Sequence, residues 1–319
     1  MASSLKYTRH QYGAHELQRV GVWDLDIADK AKYWIIFIHG GAWRDPRVTH
    51  EVFAPSISRI LESTSDGTKS PSSSSNVGKS SIAAFASIDY RLSPHPDFPQ
   101  DPARTPKDQL RDARHPDHLD DVRAALAFLQ RSYDFGARYV LLGHSAGACL
   151  TYQLLATAPP LSSSSRSGSS ADETRKRERG GGGGGGDPEL PAAALGIEGI
   201  YDMAGLNARV GGSYAEFLTA AFGPPGRWDE AAPMKFAGRY RERFTTGLAA
   251  LAHSPDDELV DMPETEGMAE RLRGDLDEER VLVFKDLEGS HEGIVQDGSG
   301  VARVVLRILE VLGGADGGS

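Results

Sequence analysis

The pentapeptide Gly143-His144-Ser145-Ala146-Gly147 stands directly after the apolar run Val140-Leu141-Leu142 and directly before a helical pattern. A strand that turns into a helix at a single residue needs a strained backbone at the turn and small neighbours around it, and G-x-S-x-G supplies both. Such an elbow presents the serine hydroxyl at the C-terminal edge of a sheet. The helix beginning at Ala146 aims a backbone N–H at the same place.

The rest of the chain supplies the sheet that this elbow needs. Tyr33 to His39, Ile82 to Tyr90, Arg138 to His144, Ala194 to Tyr201, Phe244 to His253 and Arg280 to Leu287 are short apolar runs closed by Gly, Pro, Asp or Ser, as buried parallel strands are. Between them, helical spacing runs over His118 to Gln130, Ala146 to Ala158, Tyr214 to Phe222, Pro263 to Arg273 and Val301 to Leu312. Strand then helix, repeated, predicts an α/β fold with a mostly parallel central sheet and helices on both faces. Leu17 to Ile27 partly alternates and reads as an antiparallel hairpin at the sheet edge. One domain over 1–319 is expected, with flexible insertions at 63–81 and 161–187. The first holds nine serines in nineteen residues, and the second carries seven consecutive glycines, Gly180 to Gly186, beside a small basic cluster, Arg175, Lys176, Arg177 and Arg179. That cluster reads as part of a solvated loop.

Charge and cysteine usage narrow the class of partner. A net charge of −10 opposes binding to a phosphate backbone, so nucleic acid is not expected. The single cysteine, Cys149, cannot close an intramolecular disulfide, which points to a reducing compartment. Met1 to Gln11 lacks the apolar stretch of a secretory signal, and no apolar run approaches the ~20 residues of a membrane span. The expectation is a cytoplasmic protein without a membrane partner.

A second glycine-bearing segment, His39-Gly40-Gly41-Ala42-Trp43, follows the apolar run at Tyr33. Its glycines let backbone approach a reacting carbonyl, so Gly40 and Gly41 with Ala146 would form an oxyanion hole. His39 reads as a buttress of this loop, and Trp43 as a pocket wall or an anchor. A nucleophilic serine needs a base, and the base an orienting carboxylate. His291, in Gly289-Ser290-His291-Glu292-Gly293, is the candidate base. Asp257, in His253-Ser254-Pro255-Asp256-Asp257-Glu258-Leu259-Val260, is preferred as the acid over Asp256 and Glu258 because it leads into the apolar pair that would pin the turn. The chain order serine, acid, histidine is that of α/β hydrolases. His115 and His118 lack the further ligands that a metal site needs, so no metal is expected. Arg91 reads as a structural ion-pair partner, and Tyr201 and Phe217 as core residues that are also candidates for the pocket wall.

Several segments together resemble fungal kynurenine formamidases, the arylformamidases of the α/β-hydrolase superfamily: His39 to Trp43, Ser87 to Pro94, His115 to Val122, Gly143 to Ala148, Glu198 to Asp202, Ala221 to Gly223 and His253 to Val260. The resemblance runs from about residue 15 to 312 and lapses in the two low-complexity segments. It implies Ser145 as nucleophile, Asp257 as orienting acid, His291 as base and His39 to Trp43 as the oxyanion loop, with Ala42 and Trp43 near the substrate. The implied reaction turns N-formyl-L-kynurenine into L-kynurenine and formate, without a cofactor, in tryptophan degradation towards NAD synthesis. A homodimer is also implied. The glycine motifs alone occur as well in hormone-sensitive-lipase-like carboxylesterases, which are the alternative. A non-catalytic binding protein on a hydrolase scaffold is the third reading.

Overall fold

The computed structural model describes residues 5–63, 79–156 and 187–316. Eight strands form one sheet in the order β1-β2-β4-β3-β5-β6-β7-β8: β1 (Lys6–Gln11), β2 (Arg19–Asp24), β3 (Tyr33–Ile38), β4 (Ile82–Ile88), β5 (Tyr139–His144), β6 (Ala193–Ile197), β7 (Leu248–Ala252) and β8 (Val281–Phe284). From β4 to β8 all neighbours are parallel, while β1 pairs antiparallel with β2 and β2 with β4. The expected class therefore stands.

The helices are α1 (Ala54–Ser63), α2 (Asp117–Tyr133), α3 (Ala146–Ala156), α4 (Met203–Arg209), α5 (Ala215–Phe222), α6 (Trp228–Ala231), α7 (Met262–Asp275), α8 (Gly293–Asp297) and α9 (Ser299–Asp316). Side-chain alternation along β3 divides the core between the two faces of the sheet. Ile35 and Phe37 pack in one cluster with Ile57 and Ile60 of α1 and Val304 and Ile308 of α9. Trp34, Ile36 and Ile38 pack in another with Val122 and Leu126 of α2 and Cys149 and Leu150 of α3. Every residue of β3, β4 and β5 is buried, which is why these strands read as continuous apolar runs instead of alternating ones.

The expected edge hairpin is corrected. Leu17 to Ile27 contributes only β2, and its hairpin partner is Lys6–Gln11. That strand is largely exposed at the sheet edge, so its polar sequence carries no apolar alternation to betray it. Strand ends are also shorter than the apolar runs. The run through Tyr201 stops at Ile197 because Glu198 takes a left-handed backbone (φ 49°). Phe244 lies outside β7, after a 3₁₀ turn at Tyr240–Glu242. Most of the two low-complexity segments, including the basic cluster at 175–179, lies outside the described residues.

Register determines what gathers at the carboxyl edge. Ile38 pairs with Gly143, His144 with Ile197, Ile197 with Ala252, and Ala252 with Phe284. The residues that follow each strand therefore emerge side by side: His39 after β3, Ser145 after β5, Glu198 after β6 and His253 after β7. β3 is flanked by β4 on one side and β5 on the other, so the chain reverses its direction of travel across the sheet there. That switch point is where open α/β sheets leave a crevice.

Candidate active site

Ser145 occupies the elbow between β5 and α3 with φ 54°, a conformation that costs a non-glycine residue roughly 1 kcal/mol or more. Its backbone N–H donates to Ile197 O at 2.9 Å, which ties the strained residue to β6. The flanking glycines are required by packing. A Cβ on Gly143 would overlap the Gly147 carbonyl, and one on Gly147 would overlap the carbonyl of Ile38 at the end of β3. The helix thus abuts the strand that carries the second glycine motif. On that side, Gly41, Ala42 and Trp43 all have positive φ (82°, 49° and 58°), and a Cβ on Gly40 would lie 3.0 Å from the Cβ of Ser145.

A cavity of about 330 Å³ opens here, lined among others by Gly41, Ala42, Ser145, Phe217, Leu259 and His291. Trp43 does not line it: fully buried, it packs edge-on against Phe222 with ring centroids 4.8 Å apart, and its ring lies 6.2 Å from that of Phe217. Of the two roles left open for Trp43, it has the anchor's, and of the other aromatic candidates Phe217 faces the cavity while Tyr201 is fully buried against Tyr152. His39 is buried, donates from Nδ1 to Gly40 O at 3.0 Å, and stacks on Tyr90. The Tyr90 hydroxyl donates to the carbonyls of His39 and Gly40, both at 3.1 Å. The loop is thus held from beneath by its own histidine and a tyrosine.

His291 stands across the cavity. Its Nδ1 lies 2.8 Å from Asp257 Oδ2, and its backbone N–H donates to Glu258 Oε2 at 3.0 Å. Asp257 is steadied in turn, since its Oδ1 accepts from the N–H groups of Leu259 (2.8 Å) and Val260 (2.9 Å). Asp257, not Asp256, is thus the acid beside His291, in the turn formed by the two apolar residues that follow it. Among the described residues neither Ser145 Oγ nor His291 Nε2 makes a hydrogen bond, though both residues line the same cavity. Bonds between such groups often tighten only around substrate.

Beneath this pair lies a cluster that sequence reasoning did not single out. Glu198 is wholly buried, with Oε2 3.5 Å from both His291 Nδ1 and His144 Nε2 and without a hydrogen-bond partner among the described residues, while Oε1 accepts from Ser254 N–H at 3.3 Å. Burial, and then the nearby charge of Asp257, push its carboxyl up to about 9, so it is protonated at neutral pH. The available signal was an acid at the end of an otherwise apolar run, followed by Gly199. His144 Nε2 lies 3.0 Å from the His291 carbonyl, which can only accept, so Nε2 carries the proton. Burial, and then His291, hold His144 well below the usual histidine range. His253 is likewise lowered by burial, and it bonds Thr265 Oγ1 (2.7 Å) and Val260 O (2.9 Å). Ligand atoms of His144, Glu198 and His291 lie within 4.8 Å of one another, but the imidazole nitrogens that face Glu198 already have hydrogen-bond partners. The group is a buried cluster in which His144 bonds the His291 backbone and Glu198 lies beside both imidazoles. His118 bonds Ser93 Oγ at 3.1 Å, and Arg91 pairs with Asp121 at 2.8 Å.

No protein-family model matches the chain. Among curated proteins it is 32% identical to the kynurenine formamidase avaC of Aspergillus versicolor over 289 residues, covering 85% of this chain and 86% of that one. It is 33% identical to the kynurenine formamidase-like hydrolase fscH of Fusarium equiseti, covering 88% and 84%. A kynurenine formamidase of Meyerozyma guilliermondii is 27% identical, with 82% and 79% covered. Among solved structures, esterase B from Lactobacillus rhamnosis superposes with a TM-score of 0.63 at 12% identity, covering 99% of this chain and 88% of that one. A truncated carbohydrate esterase from gut microbiota gives 0.61 at 15%, covering 96% of both. These two likenesses establish the α/β-hydrolase fold.

Proposed function

The chain belongs to the kynurenine formamidase family, and from that premise we propose that it is a serine hydrolase converting N-formyl-L-kynurenine to L-kynurenine and formate. The observation that carries the reading is His291, whose Nδ1 lies 2.8 Å from Asp257, lining one cavity with Ser145 on its strained elbow.

In this mechanism Ser145 Oγ attacks the formyl carbon while His291 Nε2 takes the hydroxyl proton. Asp257 keeps the other imidazole proton on Nδ1 and favours the imidazolium as it forms. The oxyanion rests on backbone N–H groups of Gly40, Gly41 and Ala146, where fixed dipoles need no reorganisation. Collapse of the tetrahedral adduct breaks the C–N bond, and His291 returns its proton to the departing arylamine. Water, deprotonated by His291, then attacks the formyl-serine and releases formate. Gly40 so close to Ser145 suits the smallest acyl group, since hydrogen occupies the place of an acyl side chain.

The reading extends to a place in tryptophan degradation towards NAD synthesis, to the cytoplasm, and to a homodimer, which light scattering of the purified protein checks by giving twice the chain mass. Among the described residues no helix is long and apolar enough to cross a membrane. The decisive experiment compares kcat/KM on N-formyl-L-kynurenine with that on a short-chain p-nitrophenyl ester. Preference for the formamide by orders of magnitude supports the formamidase. Efficient ester cleavage with the formamide untouched replaces it with a carboxylesterase.

A further inference from the structure

The proposed substrate has a zwitterionic amino-acid end that the catalytic groups do not touch, and the cavity beside Ser145 carries charge of both signs. Arg44 directly follows the oxyanion loop and lines the cavity together with Asp45, Phe217, Leu259 and Glu292. Its guanidinium carbon lies 5.5 Å from the centroid of the Phe217 ring, and its Nη1 donates to Glu216 Oε1 at 3.0 Å. The two partners differ in exposure, with 16% of the Arg44 side chain accessible against 65% for Glu216. The cation is therefore held in place by an aromatic face, while its carboxylate partner sits in solvent, where such a pair is weak and readily exchanged.

The acids of the cavity are also unequal. Asp45 is already occupied, accepting from Arg47 Nε at 2.9 Å and from Nη2 at 2.6 Å. Glu292, next to His291, has no side-chain hydrogen bond or ion pair among the described residues. Leu259, on the same cavity, is one of two large apolar side chains left exposed among the described residues. A positioned cation, an unoccupied acid and an apolar wall in one cavity suit an aromatic body bearing an α-amino acid.

Resting on the formamidase reading and deepening it, we propose that Arg44 and Glu292 form the site for the amino-acid end of the substrate. Arg44 takes the α-carboxylate in exchange for Glu216, Glu292 faces the α-ammonium, and the aryl ring lies along Phe217 and Leu259. A guanidinium suits this task because its planar fork matches a carboxylate with two parallel N–H bonds. Specificity then resides in a pair of charges away from the scissile bond, and an ester or aryl formamide without the amino-acid group draws nothing from them.

The test measures kcat and KM on N-formyl-L-kynurenine and on the ortho-formamido phenyl ketone with methyl in place of the amino-acid chain. For Arg44→Gln the ratio of kcat/KM between the two substrates should fall about 10- to 100-fold, chiefly through KM on the amino acid, as loss of a charge-assisted pair implies. Arg44→Lys should recover part of that ratio, and Glu292→Gln should lower it less. Equal losses on both substrates, or an unaltered ratio, overturn the assignment while leaving the formamidase reading intact. If the wild-type enzyme cleaves a p-nitrophenyl ester but neither formamide, the formamidase reading fails and this site falls with it.

Discussion

Two histidine–carboxylate clusters lie at the same edge of the sheet, and only one of them faces the cavity. Asp89, the first residue after β4, accepts from the backbone N–H of His50, pairs with His50 Nδ1 at 2.8 Å, binds Arg19, and stands 3.6 Å from His39 Nε2. The other nitrogen of His50 bonds the Tyr7 hydroxyl at 2.7 Å, and that of His39 bonds Gly40 O. Both Asp89 oxygens and both His50 nitrogens are engaged by protein, and none of these residues lines the cavity. In the second cluster, His291 has an equally short bond to Asp257, yet its remaining nitrogen has no partner among the described residues and the residue borders the cavity beside Ser145. The same pair of residue types thus braces a loop in one place and, in the proposed mechanism, handles a proton in the other. Access decides between the two roles, since a base has to reach a proton it can abstract.

Breaking each cluster should sharpen the contrast. Ser145→Ala should lower kcat by about 10⁴-fold or more, and Asp257→Asn by about 10² to 10⁴ through loss of imidazole orientation, with little change in melting temperature. Steady-state kinetics beside circular dichroism checks both, and near-normal turnover in either variant would remove that residue from the triad. Asp89→Ala should do the reverse. It leaves Arg19 and His50 without their carboxylate, so denaturant unfolding should show a loss of about 3–5 kcal/mol, while kcat per folded molecule falls far less than in Asp257→Asn. Burial alone would raise the Asp89 carboxyl, but the hydrogen bond from His50, the charges of His39 and His50 and the hydrogen bond from Arg19 outweigh it and hold it below the usual carboxylate range. A depressed carboxyl contributes stability that is present above its unfolded value and lost as the pH falls through the folded one. The deficit of Asp89→Ala relative to wild type should therefore shrink in acid, a trend that unfolding curves from about pH 5 down to about pH 2 would reveal.

The smallest effect is expected at Glu198. Its raised carboxyl has the opposite sign: the stability that it contributes is complete below its unfolded value near 4.5 and is eroded as the pH climbs towards about 9. Glutamine copies the protonated shape and has no proton to lose. Glu198→Gln should keep kcat within a few-fold at neutral pH, where the native side chain is already uncharged, and its melting temperature should decline less than that of wild type between about pH 5 and pH 9. Parallel melting curves for the two proteins would mean that the Glu198 carboxyl is not raised and is already ionised in the folded protein.

How far the chain could be read in advance follows from where each signal lies. The elbow was legible because its requirement is local: a strand-to-helix turn at Ser145 tolerates only small flanking residues, and Gly143 and Gly147 stand beside it in the chain. Asp257 was separable from Asp256 for a similar reason, as the apolar pair that pins its turn follows immediately. β1 escaped notice because an exposed edge strand has no apolar period. Glu198 escaped because its environment comes from three other segments: His144 at the elbow, Ser254 after β7 and His291 after β8.

Sequence by itself determined most of the elements, their alternation and which serine, acid and histidine to propose for the site, since each of these depends on neighbours within a few residues. Tertiary structure alone decided which histidines face the cavity, that Trp43 anchors while Phe217 lines, and that Glu198 sits uncharged under the site. Those outcomes depend on strand register and on burial, and both bring together side chains that are far apart in the chain.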